Sequence, residues 1–243
     1  MTTSPPGDVG GEVETGVNDR DGGPGPSRAV EDYLKAVYKL QQPADSVSTT
    51  SLAEELGRSA ASVTNMVKGL AESGLVQHTP YRGVRLTAAG ELTALRIIRR
   101  HRVIELYLIE KLGYLWDDVH AEAERLEHAA SDALIDRMAS ALGEPSLDPH
   151  GSPIPTRSGE IAKPQWVALT ALEEGGCGTV LEVSDEDAEA LRRLADLGLF
   201  PGTEIRIVSA VHDGHARVEI ADQQVEVAES LARTVFVEPE DVK

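Results

Sequence analysis

The stretch that decides the fold is Ser51-Leu-Ala-Glu-Glu-Leu-Gly57 followed by Ser59-Ala-Ala-Ser-Val-Thr-Asn-Met-Val-Lys-Gly-Leu-Ala-Glu-Ser-Gly74. Ser51 and Glu54 have the spacing of a capping box, in which hydroxyl and carboxylate satisfy the free amides at a helix start, and Gly57 ends that short helix. Ser59 is a second N-cap, and Val63, Met66, Val67 and Leu70 then recur at helical spacing as far as Gly74. Two short helices joined by a tight glycine-containing turn form a helix-turn-helix. Ahead of it, Val30, Tyr33, Leu34, Val37, Tyr38 and Leu40 predict an amphipathic helix of about twelve residues. Behind it, Leu75 and Val76 precede a turn at Pro80 to Gly83, and Val84 and Leu86 follow it. That pattern is a β-hairpin, the wing of a winged helix.

The second helix presents Ser59, Ala60, Ala61, Ser62, Thr64 and Asn65, all small or polar. Such a surface can approach base edges closely, with Thr64 and Asn65 able to hydrogen-bond them. Lys68, Arg82 and Arg85 are placed to neutralise phosphates, which fixes docking without reading sequence. The competing reading is a winged helix used for protein contacts. Taken alone, a net charge of −18 over the 243 residues opposes DNA. Its distribution reverses that. Residues 1–27 carry −4 and residues 104–243 carry −18, whereas residues 28–103 carry eleven bases and seven acids, a net of +4. The basic charge lies where the reader is expected.

Residues 1–27, rich in Gly, Pro and Asp, read as a disordered acidic tail. Residues 28–98 are expected to form the winged helix-turn-helix domain and 99–152 a helical domain. After Thr87 a helix should run to about Leu112, and another from about Asp117 to Leu142, with a break near Ser131 and Asp132. The proline-rich stretch 145–165 reads as a linker, its last part, 153–165, separating the domains. In 166–239, alternating segments at 180–183, 204–208, 216–220 and 225–227 predict a small antiparallel SH3-like β-barrel. The fold class is therefore mainly α with a small β domain. One cysteine, Cys177, excludes a disulfide framework and a cysteine-based zinc finger, which makes a cytoplasmic setting the expectation. No apolar run approaches the roughly 18–20 residues of a membrane span, and no basic-then-apolar signal pattern is present.

His120, Glu124, Glu127 and His128 follow the spacing i, i+4, i+7, i+8, which puts all four on one helical face. His101 and Glu105 form a second i, i+4 pair on the preceding helix. Carboxylates and imidazoles crowded on one stripe repel or desolvate one another unless a cation joins them, and a divalent metal accepts their lone pairs. The alternative is a solvated ionisable stripe. A metalloprotease is disfavoured because no H-E-x-x-H occurs and Glu124-x-x-Glu127-His128 lacks the first ligand of H-x-x-E-H. A metalloenzyme or metal-storage module using the same stripe stays open, as does a metal-independent winged-helix regulator. His78, His150, His212 and His215 read as surface residues, Cys177 as a small structural residue, and Trp116 and Trp166 as packing at domain edges.

A winged helix placed before such a stripe resembles the diphtheria toxin repressor family of metal-dependent transcriptional regulators. Val30-Glu-Asp-Tyr-Leu-Lys-Ala-Val-Tyr-Lys-Leu40 is similar to that family's first helix, Ser62-Val-Thr-Asn-Met-Val67 to its recognition helix, and Tyr81-Arg-Gly-Val-Arg-Leu-Thr87 to its wing. Arg100-His-Arg102, His120-Ala-Glu-Ala-Glu-Arg-Leu-Glu-His128 and Asp148-Pro-His-Gly-Ser-Pro-Ile-Pro155 resemble its dimerisation domain. Leu197-Gly-Leu-Phe-Pro-Gly-Thr203 is similar to the SH3-like, FeoA-type domain that many members append.

The resemblance implies one metal site from Asp32, Glu124, Glu127 and His128, and a neighbouring site from His101, Glu105 and His120, to which Glu182 and Asp185 would add. It implies that Asp32 reaches from the DNA-binding domain to the dimerisation helices. Iron-responsive members carry a thioether at the position of Asp32 and a cysteine at that of Glu124. The hard oxygen donors here match the manganese-responsive branch, so Mn²⁺ is favoured and Fe²⁺ is the alternative. Lys35 stands where some manganese regulators carry a glutamate ligand. The function implied is a non-enzymatic, homodimeric repressor of metal-homeostasis genes that binds double-stranded operator DNA with metal as corepressor. Without metal the carboxylates are expected to repel and let the winged helices move.

Overall fold

The computed structural model describes residues 26–41, 46–79, 82–163 and 166–240. Most of the acidic tail expected at 1–27, the tip of the wing at Pro80 and Tyr81, and Pro164 and Gln165 at the end of the proline-rich stretch lie outside the described residues. The winged helix is built from α1 (Arg28–Gln41), α2 (Thr49–Glu55) and α3 (Ala60–Glu72), followed by β1 (Val76–Thr79) and β2 (Gly83–Leu86). Leu34, Val37, Leu52, Val63, Val67, Leu70 and Val84 close its aliphatic core. Ser59 caps α3 as expected, its hydroxyl accepting from the Ser62 amide at 3.3 Å. Helix α2 starts earlier than its capping-box pattern suggests. Ser48, not Ser51, is the cap, accepting from the Ser51 amide at 2.9 Å, and Thr49 and Thr50 continue into the helix. The wing pairs Val76 with Leu86 and Thr79 with Gly83 in an antiparallel register.

Helix α4 (Ala88–Leu112) is capped by Thr87 and stopped by Gly113, whose φ of 73° is a left-handed conformation suited to glycine. Its 25 residues span about 37 Å and lead from the wing to the metal candidates. The helix expected from about 117 to 142 is two helices, α5 (Val119–Leu126) and α6 (Asp132–Ala141). Ser131 caps α6 through the Leu134 amide, so the break falls at 127–131. Val103, Ile104, Leu108, Val119, Ala123, Ile135 and Ala139 pack these helices together, with Ile154 from the following segment.

That following segment does not behave as a flexible spacer. Asp148, His150, Ser152 and Ile154 are buried, and a bridge joins Leu147 to Pro153. Arg99 donates to the Pro155 carbonyl at 3.0 Å, and Arg102 donates to that of Pro153. Residues 146–155 thus form a strap across α4. Gly151, at φ 90°, lies so close to the Leu181 carbonyl that a Cβ there would sit 1.8 Å from the oxygen.

The C-terminal domain comprises β3 (Val167–Ala168), β4 (Cys177–Val183), α7 (Ala188–Asp196), β5 (Glu204–His212), β6 (His215–Ile220), β7 (Gln223–Ala228), α8 (Glu229–Ala232) and β8 (Val235–Pro239). Its antiparallel sheet has the order β3-β8-β4-β5-β6-β7, curled about a core of Val180, Leu191, Leu194, Leu199, Val218 and Val235. The sequence pattern yields four of the six strands; β3 and β8 escape it. The end strands β3 and β7 share no ladder, so the SH3-like sheet is not closed by hydrogen bonds. Trp116 packs against this domain's core, its ring tilted against Phe200 with centroids 5.1 Å apart, and donates to the Pro149 carbonyl. Glu186 reaches Lys39 of α1 at 2.5 Å.

Candidate metal centre

Helix α1 faces the centre with three side chains one turn apart or less: Glu31, Asp32 and Lys35. Glu127 lies in the αR turn closing α5, and His128 follows it, which keeps both on the stripe although the helix has ended. Asp32, Glu127 and His128 bring ligand atoms within 4.8 Å of one another. Nε2 of His128 lies 2.9 Å from Asp32 Oδ1 and 3.3 Å from Glu127 Oε1, yet it is buried without an aligned hydrogen bond. Its other nitrogen, Nδ1, sits 2.6 Å from Glu31 Oε2. Glu31, itself held 3.5 Å from Arg100, therefore fixes the ring so that the Nε2 lone pair faces the other ligands.

A second cluster joins His101, Glu105, His120 and Asp185, so α4, α5 and the C-terminal domain all contribute. Glu105 Oε1 is 2.9 Å from His101 Nε2 and 3.2 Å from His120 Nδ1, and Asp185 Oδ2 is 3.3 Å from the same His120 nitrogen. His101 Nδ1 lies 2.5 Å from Glu127 Oε2, which links this cluster to the first. Burial opposes a charge on His101, but hydrogen bonds to Glu105 and Glu127 outweigh it and raise its pKa to about 9. For His120, burial is likewise outweighed, by Asp185 and Glu105, and the pKa rises to about 10. Burial alone would raise the Glu105 pKa, yet the two imidazoles pull it down to about 2. Asp185 is also held below its ordinary range by His120, against burial.

Asp185, which the family resemblance implies for the second site, lies in this cluster. The structure does not bring Glu182 there; its carboxylate accepts from the Ser152 hydroxyl at 2.5 Å, and burial pushes its pKa upward. Glu124 also stands apart from the Asp32 cluster. It groups instead with His101 and Glu127, around the ammonium of Lys35.

The strap supplies two residues that the sequence reading passed over. His150, expected on the surface, is fully buried, because tertiary packing holds the strap beneath the C-terminal domain. Its Nε2 donates to the Trp116 carbonyl at 3.1 Å, which leaves the Nδ1 lone pair free, 4.0 Å from Glu105 Oε2. Asp148 accepts the His150 and Ser152 amides on Oδ1 at 2.8 and 2.9 Å, while Oδ2 has no hydrogen bond. Burial raises the Asp148 pKa to about 8 despite Arg102 nearby. Glu105, Asp148 and His150 form another cluster of convergent ligand atoms, and Glu105 Oε2, Asp148 Oδ2 and His150 Nδ1 are all buried without a hydrogen bond, although Arg102 Nε stands 3.4 Å from Asp148 Oδ2. Buried polar atoms without partners are rare in native proteins, and together with His128 Nε2 these four point into the clusters. The donors are oxygen and nitrogen only, the set expected of a hard divalent cation.

In the winged helix, Ser59, Ala61, Ser62, Asn65, Lys68 and Arg82 are exposed. Thr64 is half-buried, its hydroxyl bonded back to the Ala60 carbonyl at 2.8 Å. The α3 face is therefore small and polar, and is left open by the other described residues.

Residues 27–84 match the family model for the N-terminal DNA-binding domain of iron-dependent repressors, 87–156 that for their metal-binding and dimerisation domain, and 167–239 the FeoA domain. The chain is 39% identical to a manganese-dependent transcriptional repressor solved in complex with manganese, covering 87% of this chain and all of that one, with a TM-score of 0.81. The chain belongs to the iron-dependent repressor family. Within that family it is also 31% identical to the manganese regulator SloR over 87% of this chain and 98% of that one, with a TM-score of 0.72. It is 29% identical to the iron-dependent repressor IdeR of Mycobacterium tuberculosis, over 86% of this chain and 96% of the relative. The family comprises iron- and manganese-dependent transcriptional repressors that bind DNA and dimerise, and its FeoA domain is the unit that carries Asp185 into the centre here. No helix among the described residues is long and apolar enough to cross a membrane.

Proposed function

We propose that this repressor is a homodimer that takes Mn²⁺, with Fe²⁺ as the second choice, as corepressor for binding a twofold operator that controls metal-homeostasis genes. The observation that carries the reading is the set of four buried ligand atoms that make no hydrogen bond, Glu105 Oε2, His128 Nε2, Asp148 Oδ2 and His150 Nδ1, each within a cluster of carboxylates and imidazoles. The ligands we assign are Asp32, Glu127 and His128 with Glu124 beside them, and His101, Glu105, His120 and Asp185 with Asp148 and His150 beyond. Manganese is favoured by a donor set without sulfur and by the 39% identity to a manganese-dependent repressor, against 29% to an iron-dependent one.

A bound divalent cation supplies positive charge that the carboxylates share. The chain's own part is positional. Asp32 projects from α1 of the DNA-binding domain toward His128 beyond α5, so drawing these two together fixes the orientation of α3 on its operator. Asp185 does the same for the C-terminal domain against His120. Ser59, Ala61, Ser62, Thr64 and Asn65 would then face base edges, with Lys68 and Arg82 on phosphates. We assign residues 28–98 to DNA binding, 99–152 to metal binding and dimerisation, 153–165 to connection and 166–239 to the SH3-like domain. Among the described residues, six of the seven large apolar side chains left exposed, Leu112, Tyr114, Leu115, Leu126, Leu134 and Leu147, fall within 87–156, which supports pairing of subunits there. The test is binding to the promoter region of its own gene under anaerobic conditions with Mn²⁺, Fe²⁺, Zn²⁺ or chelator. Binding that needs Mn²⁺ or Fe²⁺ supports the reading; binding indifferent to chelation overturns it.

A further inference from the structure

The Asp32 cluster has a neighbour already filled by a cation that belongs to the chain. The Lys35 ammonium donates to Glu124 Oε1 at 2.5 Å and to both carboxylate oxygens of Glu127 at 3.0 Å, and it lies 3.4 Å from His101 Nδ1. These partners are one of the candidate ion clusters, His101, Glu124 and Glu127, and they come from α4, α5 and the turn that ends α5. Lys35 comes from α1, one turn beyond Asp32. Its side chain is only 23% exposed, and that of Glu127 is fully buried. Such a geometry is a charge-assisted network across two domains, not a solvated surface pair. The amine's own charge is favoured there, since attraction to Glu127 and Glu124 prevails over burial.

We propose that Lys35 is the resident cation of this centre, positioning α1 against α5 before any metal arrives, so that metal reinforces an existing tie instead of creating it. Carboxylate repulsion then does not spring the metal-free protein open, because Glu124 and Glu127 already share a positive charge. The metal-dependent part of the tie is left to Asp32 and His128, whose Nε2 the ammonium does not satisfy. The repressor therefore holds its DNA-binding domain against α5 without metal.

The inference rests on reading these clusters as a metal centre, but its decisive comparison is made without metal. Spin labels at Glu72→Cys on α3 and Arg125→Cys on α5, both exposed, with Cys177→Ser, report the separation of the two domains in the full-length protein. Labelled subunits are diluted into unlabelled ones. In chelator the parent should give one narrow distance. Lys35→Met, which keeps the aliphatic stem, should raise the open population about tenfold or more. Lys35→Arg should retain most of the closed population, and Mn²⁺ should return Lys35→Met to the parent distance, which shows that it is folded. Equal distributions for parent and Lys35→Met in chelator overturn the proposal. So does a Lys35→Met protein that Mn²⁺ cannot close, because Lys35 would then be a structural requirement of both states. A parent whose DNA binding ignores Mn²⁺ refutes the metal reading and leaves the chelator comparison standing.

Discussion

Glu105→Gln isolates the charge at the heart of the second cluster. Glu105 is fully buried and faces His101 and His120 with one oxygen, and those imidazoles are held charged, with pKa values of about 9 and about 10. The substitution keeps size and shape but removes the counter-charge. Breaking a buried ion pair on one side destabilises by about 3–5 kcal/mol. The lower end applies here, because Glu127 still holds His101 and Asp185 still holds His120. At roughly 2–4 °C per kcal/mol for a unit of this size, the metal-free protein should melt about 6–12 °C lower at pH 7. Both imidazole pKa values are raised by folding. Their contribution is therefore complete below about pH 6.5 and disappears as pH rises through about 9 and 10. Thermal unfolding of parent and variant in chelator, followed by circular dichroism from pH 6 to 10.5, should give curves that converge at the alkaline end. Equal melting temperatures at pH 7, or a gap that widens with pH, would show that Glu105 does not carry the charge assigned to it.

Asp32→Ala should leave DNA affinity in chelator unchanged and abolish most of the Mn²⁺-induced gain, a coupling of typically about 5- to 150-fold, in fluorescence anisotropy; an undiminished gain would refute the proposed link between domains. Glu31→Gln should weaken Mn²⁺ binding by about 10- to 100-fold without touching a ligand, because His128 loses the group that orients it. Since His101 and His120 are charged at pH 7, Mn²⁺ binding should release protons and tighten from pH 6 to 9; calorimetry whose heat is independent of buffer ionisation would contradict this. Asn65→Ala should change sequence preference by about 1–3 kcal/mol, whereas Lys68→Ala should weaken all sequences alike and reduce the salt dependence by about one counterion.

Local patterns in the chain carried most of the fold. Helical spacing in α1 and α3 and the openings at Ser59 and Thr87 are signals within a few residues of one another, and they place the winged helix and the start of α4. The ligand stripe was legible for the same reason, His120, Glu124, Glu127 and His128 being neighbours on one surface. What escaped depends on tertiary contact. The strap at 146–155 has the composition of a linker, and only the hydrogen bonds from Arg99 and Arg102 and the seat of Gly151 on Leu181 make His150 and Asp148 interior residues. β8 pairs with β4 from more than fifty residues away, and β3 is two residues long. The placement of Lys35 between Glu124 and Glu127 could not be read from spacing, because it joins positions 89 and 92 residues apart.

If the clustered carboxylates and imidazoles bind a divalent cation, its binding and DNA binding favour the same state. Linkage then requires that the factor by which Mn²⁺ tightens DNA binding equal the factor by which DNA tightens Mn²⁺ binding. The direct measurement is the Mn²⁺ affinity of the full-length protein with and without a saturating duplex from its own promoter. The account predicts tighter Mn²⁺ binding on DNA, by the same factor as the Mn²⁺-induced gain in DNA affinity. An Mn²⁺ affinity indifferent to DNA would contradict it.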